Sequence, residues 1–146
     1  MAFFINKIDA KGRIFVPAKV RDKFGKCLFV APNIEKQYLT VYSEAHYQKL
    51  CEEFNALPKT DPKVRKAIRK ILGKTQECET DGQGRISVTS DLWDLIGAQP
   101  NTEICIYQIG DMMEICTKSF YDAENEREKE DDDDEIDLAG FNLTAL

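Results

Sequence analysis

Two five-residue segments, Asp9-Ala10-Lys11-Gly12-Arg13 and Asp81-Gly82-Gln83-Gly84-Arg85, carry the pattern with most chemical content in this chain. A carboxylate at the first position of a tight turn accepts backbone N–H groups inside the turn, and glycine supplies the positive φ that a bulged type I turn needs. An arginine at the start of the return strand lies close enough to pair with that carboxylate. The chemistry on offer is bracing of the turn, bridging of subunits, or presentation of a guanidinium to a phosphate or a base edge. Catalysis is poorly served. His46 is the one histidine, and there is no G-x-S-x-G segment, no phosphate-binding glycine loop and no metal-ligand cluster. Only isolated candidates, Cys51 or Asp9, remain for a nucleophile or base, so the chain reads as a non-enzyme with no catalytic residue, no metal and no cofactor. The five cysteines, with no C-x-x-C pair, read as reduced and mostly buried thiols.

The two segments belong to a longer repeat. A shift of 72 residues lays Ile5 to Lys26 on Glu77 to Ala98, and seven of 22 pairs are identical: Asp9/Asp81, Gly12/Gly84, Arg13/Arg85, Ile14/Ile86, Val16/Val88, Asp22/Asp94 and Gly25/Gly97. After a small gap, Leu39-Thr40-Val41-Tyr42-Ser43 matches Met113-Glu114-Ile115-Cys116-Thr117. Each copy predicts a hairpin closed by the Asp–Gly turn, with return strands at 13–16 and 85–88. A short helix follows, opened by Pro17 or by Thr89 and Ser90 and stopped at Gly25 or Gly97. Strands are expected at 27–31 with 38–42, and at 103–109 with 112–117. Ser43 and Thr117 can cap further helices, the second running into the acidic end of the chain. Between the copies, Asp61-Pro62 caps a helix with an apolar stripe (Val64, Ala67, Ile68, Ile71, Leu72) ending at Gly73 and a basic face (Lys63, Lys66, Arg69, Lys70). The expected organisation is α+β: repeat 1 at 3–47, a helical linker at 48–74, repeat 2 at 75–121, and a disordered acidic tail at 122–146.

With 146 residues the chain lies in the single-domain range, and its longest apolar stretch, Cys27-Leu28-Phe29-Val30-Ala31, is far short of a membrane span. In Met1-Ala2-Phe3-Phe4-Ile5-Asn6-Lys7 the apolar residues precede the charge, the reverse of a signal peptide, which leads to the expectation of a cytosolic protein. The net charge of −6 is distributed unevenly. Residues 1–75 hold 16 bases and 7 acids (+9), residues 76–121 hold 2 and 8 (−6), and residues 122–146 hold 2 and 11 (−9). Over the matched windows, copy one carries seven bases and two acids and copy two one base and five acids. Lys7, Lys11, Lys19 and Arg21 are replaced in the second copy by Glu79, Gln83, Asp91 and Trp93. If one copy touches phosphate it is the first, which makes Lys7, Lys11, Arg13, Lys19 and Arg21 the candidate DNA-binding residues. Asp9, Gly12, Asp81, Gly84 and Arg85 read as the structural or oligomer motif. The acidic tail can compete with DNA for the basic face.

The run from Lys7 to Pro17, followed by Leu72-Gly73 and then Glu77-Cys78-Glu79-Thr80-Asp81-Gly82-Gln83-Gly84-Arg85-Ile86, closely resembles the bacterial MraZ family over about residues 3–121. The doubled D-x-x-x-R is that family's hallmark; Thr89, where a second proline is typical, is a departure. The resemblance implies two tandem AbrB-like (SpoVT-AbrB) swapped-hairpin units and assembly into a ring-shaped homo-oligomer. It further implies nucleoid-associated binding of double-stranded promoter DNA at short direct repeats ahead of the division and cell wall gene cluster, and repression of that cluster. No membrane and no small-molecule substrate are expected. The alternative reading is a ring-forming assembly module whose basic face binds an acidic protein.

Overall fold

The computed structural model describes residues 3–130 and 136–145. The elements run β1 (Phe3–Lys7), β2 (Arg13–Phe15), α1 (Ala18–Phe24), β3 (Cys27–Pro32), β4 (Leu39–Ser43), α2 (Glu44–Asn55) and α3 (Pro62–Lys70), then a 3-10 turn over Leu72–Lys74. The second copy supplies β5 (Gln76–Glu79), β6 (Arg85–Ser87), α4 (Ser90–Leu95), β7 (Glu103–Ile109), β8 (Met112–Thr117) and α5 (Lys118–Glu130).

The fold is α+β, and the two copies are interleaved. A six-stranded antiparallel sheet has the order β1-β7-β8-β4-β3-β5, and a two-stranded ribbon pairs β2 with β6. The turns are present as expected, but they do not close a ladder between their own strands. β1 pairs with β7, β5 pairs with β3, and β2 pairs with β6, so every strand flanking an Asp–Gly turn hydrogen-bonds to the opposite copy. The reason lies in side-chain direction. Ile14 and Ile86 face each other in the ribbon and are buried in one shared core with Ile8, Leu28, Val41, Ile104, Ile106 and Ile115. A local hairpin would leave each copy to cover its own few apolar side chains; the exchange lets both cover one core. The turns join the ribbon to both edges of the sheet, so eight strands enclose that core.

Helix ends follow their capping chemistry. Ser43 accepts from the His46 backbone N–H, and Asp61 from that of Lys63 at 2.9 Å, with Pro62 in the first turn where a missing N–H costs nothing. Thr117 Oγ1 accepts from Phe120 N at 3.2 Å at the start of α5. Pro17 stands just before α1 with an extended ψ of 145°, rather than in its first turn, and Thr89 sits in the same position before α4 without a side-chain cap. α3 ends at Lys70, and the 3-10 turn carries the chain past Gly73. α5 takes in 118–130, so the segment expected to be a structureless tail begins as helix; the acidic residues 131–135 lie outside the described residues. Among the described residues no helix is long and apolar enough to cross a membrane.

Candidate nucleic-acid interface

The two turns are built alike, atom for atom. Asp9 Oδ1 accepts the backbone N–H of Lys11 (2.9 Å) and of Arg13 (2.8 Å), while Oδ2 accepts Arg13 Nε at 2.7 Å. Asp81 Oδ1 accepts Gln83 N (2.8 Å) and Arg85 N (2.9 Å), and Oδ2 accepts Arg85 Nε at 2.9 Å. Gly12 and Gly84 have φ of +78° and +80°, conformations that a side chain disfavours, and each N–H closes back on its aspartate carbonyl. The donated N–H groups hold both carboxyls below the usual carboxylate range, the backbone N–H of Arg13 or Arg85 first and the guanidinium after it. With three donors on one carboxylate, Asp9 is a brace and is poorly placed to act as a base. Each arginine spends Nε on this brace, which leaves its terminal nitrogens for an external acceptor.

The ribbon places these arginines on one surface. Its register is Arg13↔Ser87, Ile14↔Ile86 and Phe15↔Arg85. Because side chains alternate along a strand and the two isoleucines point inward, Arg13, Phe15, Arg85 and Ser87 share the outer face. Phe15 is 54 % exposed there, directly across from Arg85. A two-stranded ribbon of this kind has the dimensions to enter a DNA major groove, where a guanidinium can grip guanine through two hydrogen bonds and an apolar side chain can rest on a thymine methyl. The sequence places Arg85 in the structural or oligomer motif and does not single out Phe15. The period-two placement of 13 and 15 either side of inward Ile14 was the signal that could have found Phe15.

The five predicted DNA-binding residues are placed differently from one another. Lys7, Lys11 and Lys19 are exposed at the end of β1, in the turn and on α1, and none of the three forms an ion pair among the described residues. Arg13 is half-buried beside Asp9. Arg21 faces the other copy: its guanidinium lies over the Gly84 turn, so close that a Cβ at Gly84 would stand 2.8 Å from Cζ, and its Nε is buried without a hydrogen-bond partner. The acidic substitutions of the second copy are partly cancelled, since Glu79 pairs with Lys26 at 3.3 Å. The thiols offer no nucleophile of note where burial acts on them: Cys27 and Cys78 are pushed up to about 11 and Cys116 to about 12, mainly by desolvation. Among the described residues no group of histidine, cysteine, aspartate and glutamate side chains is arranged to hold a metal ion.

Residues 4–70 match a family model described as "MraZ protein, putative antitoxin-like". The chain is 35 % identical to a protein of Corynebacterium jeikeium named "Transcriptional regulator MraZ", over 94 % of this chain and 96 % of that one. A protein of the same name from Desulfitobacterium hafniense is 32 % identical, over 90 % and 89 % of the two chains. Another from Carboxydothermus hydrogenoformans is 29 % identical over 83 % and 82 %.

Proposed function

Because this chain belongs to the MraZ family of transcriptional regulators, we propose that it binds promoter DNA sequence-specifically and represses its own division and cell wall gene cluster through short direct repeats, acting as a ring-shaped homo-oligomer associated with the nucleoid. The observation that carries this reading is the outer face of the β2–β6 ribbon. Two arginines, each held rigidly by an aspartate, flank an exposed phenylalanine there. Lys7, Lys11 and Lys19 supply the phosphate-contacting charge around Arg13, so base recognition rests on the ribbon and non-specific affinity on the first copy's rim. Arg21 belongs to the support of the second turn more than to the contact itself. Exposed Phe3 and Ile5 on β1 give neighbouring subunits an apolar surface to cover. Several such ribbons facing one way would read direct repeats by combining weak contacts, whereas a two-fold dimer favours palindromes.

Titration of a labelled fragment of the upstream promoter at two salt concentrations tests this. Arg13→Ala lowers affinity by about 1–3 kcal/mol per DNA-contacting subunit, while Lys11→Ala weakens all sequences alike and flattens the salt dependence. Unchanged binding by a folded Arg13→Ala protein overturns the assignment of the site, and a monomer in sedimentation overturns the ring.

A further inference from the structure

The two copies of the repeat differ at two places that meet on one surface. β7 and β8 are joined by Gly110-Asp111 alone, whereas β3 and β4 are joined by residues 33–38. At the matched exposed position of the short helices, α1 carries Lys23 and α4 carries Leu95. The longer loop and Leu95 line a groove of about 490 Å³ against α3, with Ile34, Ile71 and Leu95 as its apolar floor. Ile34 is 88 % exposed, and the loop is braced so as to keep it there. Asn33 Oδ1 accepts the Glu35 backbone N–H at 2.8 Å, Asn33 Nδ2 donates to Thr40 Oγ1 (2.9 Å) and Glu114 Oε2 (2.7 Å), and Gln37 turns the chain with a φ of +76°. A loop built to hold an isoleucine in water beside other apolar side chains presents it for contact.

The wall of the groove is basic. Lys63, Lys66 and Lys70 recur along one face of α3, Lys74 extends the row past its end, and none of the four has an ion-pair partner among the described residues. Like charges at this spacing repel and weaken the helix. With Lys36 the lining holds five lysines against one carboxylate, Glu35, so an anionic partner relieves the repulsion. We propose that this groove binds an acidic amphipathic helix of another protein, with carboxylates along the lysine row and apolar side chains on the floor. From Lys63 to Lys70 the row advances about 10 Å, and carboxylates at i, i+3 and i+7 of a helix laid alongside repeat its spacing. The floor sets this partner apart from nucleic acid. A phosphodiester gains nothing from Ile34 and Leu95, whereas leucines beside the carboxylates bury there. None of Lys7, Lys11, Arg13 and Arg85 lines the groove, so the contact draws on no residue of the DNA-binding face.

Selection of a phage-displayed random peptide library on the immobilised full-length chain, followed by anisotropy titration of the selected peptides carrying a fluorescent label, tests the proposal. Expected are acidic sequences with apolar residues at helical spacing. Their affinity should fall by about tenfold or more both in Ile34→Ser and in the double variant Lys66→Glu, Lys70→Glu. All three side chains are exposed, and unchanged thermal midpoints would show that the variants fold. The same variants are titrated with a mixed-sequence DNA duplex and sedimented. Selected peptides without acidic residues, or acidic peptides that bind both variants as well as the parent, overturn the proposal. So does a double variant that loses the duplex while Ile34→Ser binds the peptides normally, which makes the row a phosphate track. A fall in oligomer mass in Ile34→Ser overturns it too, because the groove is then covered by a second copy of this chain.

Discussion

Arg21 and Trp93, separated by the 72-residue repeat, reach across to each other's glycine turn: Trp93 Nε1 donates to the Gly12 carbonyl at 3.0 Å, and the Arg21 guanidinium packs over Gly84. The same position in each copy thus supports the turn of the other, by a hydrogen bond in one case and by stacking in the other. What differs is the give in the neighbour. A Cβ at Gly12 would stand 2.9 Å from the backbone carbonyl of Val88, which cannot move without the ribbon, whereas at Gly84 it would meet the far end of a flexible side chain.

Gly84→Ala is therefore expected to cost about 1–2 kcal/mol, the penalty of a left-handed conformation for an L residue. Gly12→Ala should cost at least about 1 kcal/mol more, because the Val88 carbonyl must shift as well. Denaturant titration of the two variants checks the order.

The aspartate braces make stability sensitive to acid. Both carboxyls titrate lower in the folded chain than their ordinary value of 3.8, so their contribution is fully present above about pH 4 and is lost as pH falls through the depressed folded value. Asp9→Asn should lower the thermal midpoint at neutral pH, with the gap to the parent protein narrowing steadily below pH about 4. A gap independent of pH would show that the carboxylate charge is not what braces the turn.

Arg85 and Phe15 face each other on the ribbon, so substituting each in turn separates bracing of the turn from the proposed DNA contact. Arg85→Ala removes the Nε–H that Asp81 Oδ2 accepts, and should lower the thermal midpoint more than it affects DNA affinity, since the second copy carries Glu79 and Asp91 where the first has the phosphate-seeking Lys7 and Lys19. Phe15→Ser removes an exposed side chain and should change stability by less than about 0.5 kcal/mol. It should nonetheless weaken promoter binding and relax discrimination between sites. Melting curves and promoter titrations run side by side distinguish the pair.

Removing residues 131–146 should tighten non-specific DNA binding at low salt, with the difference shrinking as the Debye length falls from about 10 Å at 0.1 M to about 3 Å at 1 M. Ending the chain at Glu130 keeps α5 and its Phe120–Tyr38 contact. Identical isotherms at low salt would leave the tail no role at a DNA-binding surface.

Much of the architecture is legible in local chemistry. Asp9, Gly12 and Arg13 announce their turn because a turn is decided within five residues, and Ser43 and Asp61 announce their helices for the same reason. The partner of each strand is not legible, because alternation says that Ile14 faces inward but not that Ile86 of the other copy is what it meets. Arg21 illustrates the limit for the site. A charge count registers its positive charge and not where the guanidinium rests; its alignment with Trp93, a large planar side chain, is the trace of a packing position. Phe15 was hidden for the opposite reason, since an exposed aromatic among apolar neighbours reads as core.

The interleaving also governs how this protein comes off the ribosome. β1 finds its ladder only with Glu103–Ile109, so Phe3 to Lys7 remain without strand partners until nearly a hundred further residues have been made. At about 5–20 residues per second, that is a wait of roughly 5–20 s in which an apolar strand stands open to chaperones and to neighbouring nascent chains. β2 waits likewise for Arg85–Ser87. In polysomes, where identical chains emerge side by side, the turn-bearing arm of one chain meets the second copy of its neighbour before its own second copy has been made.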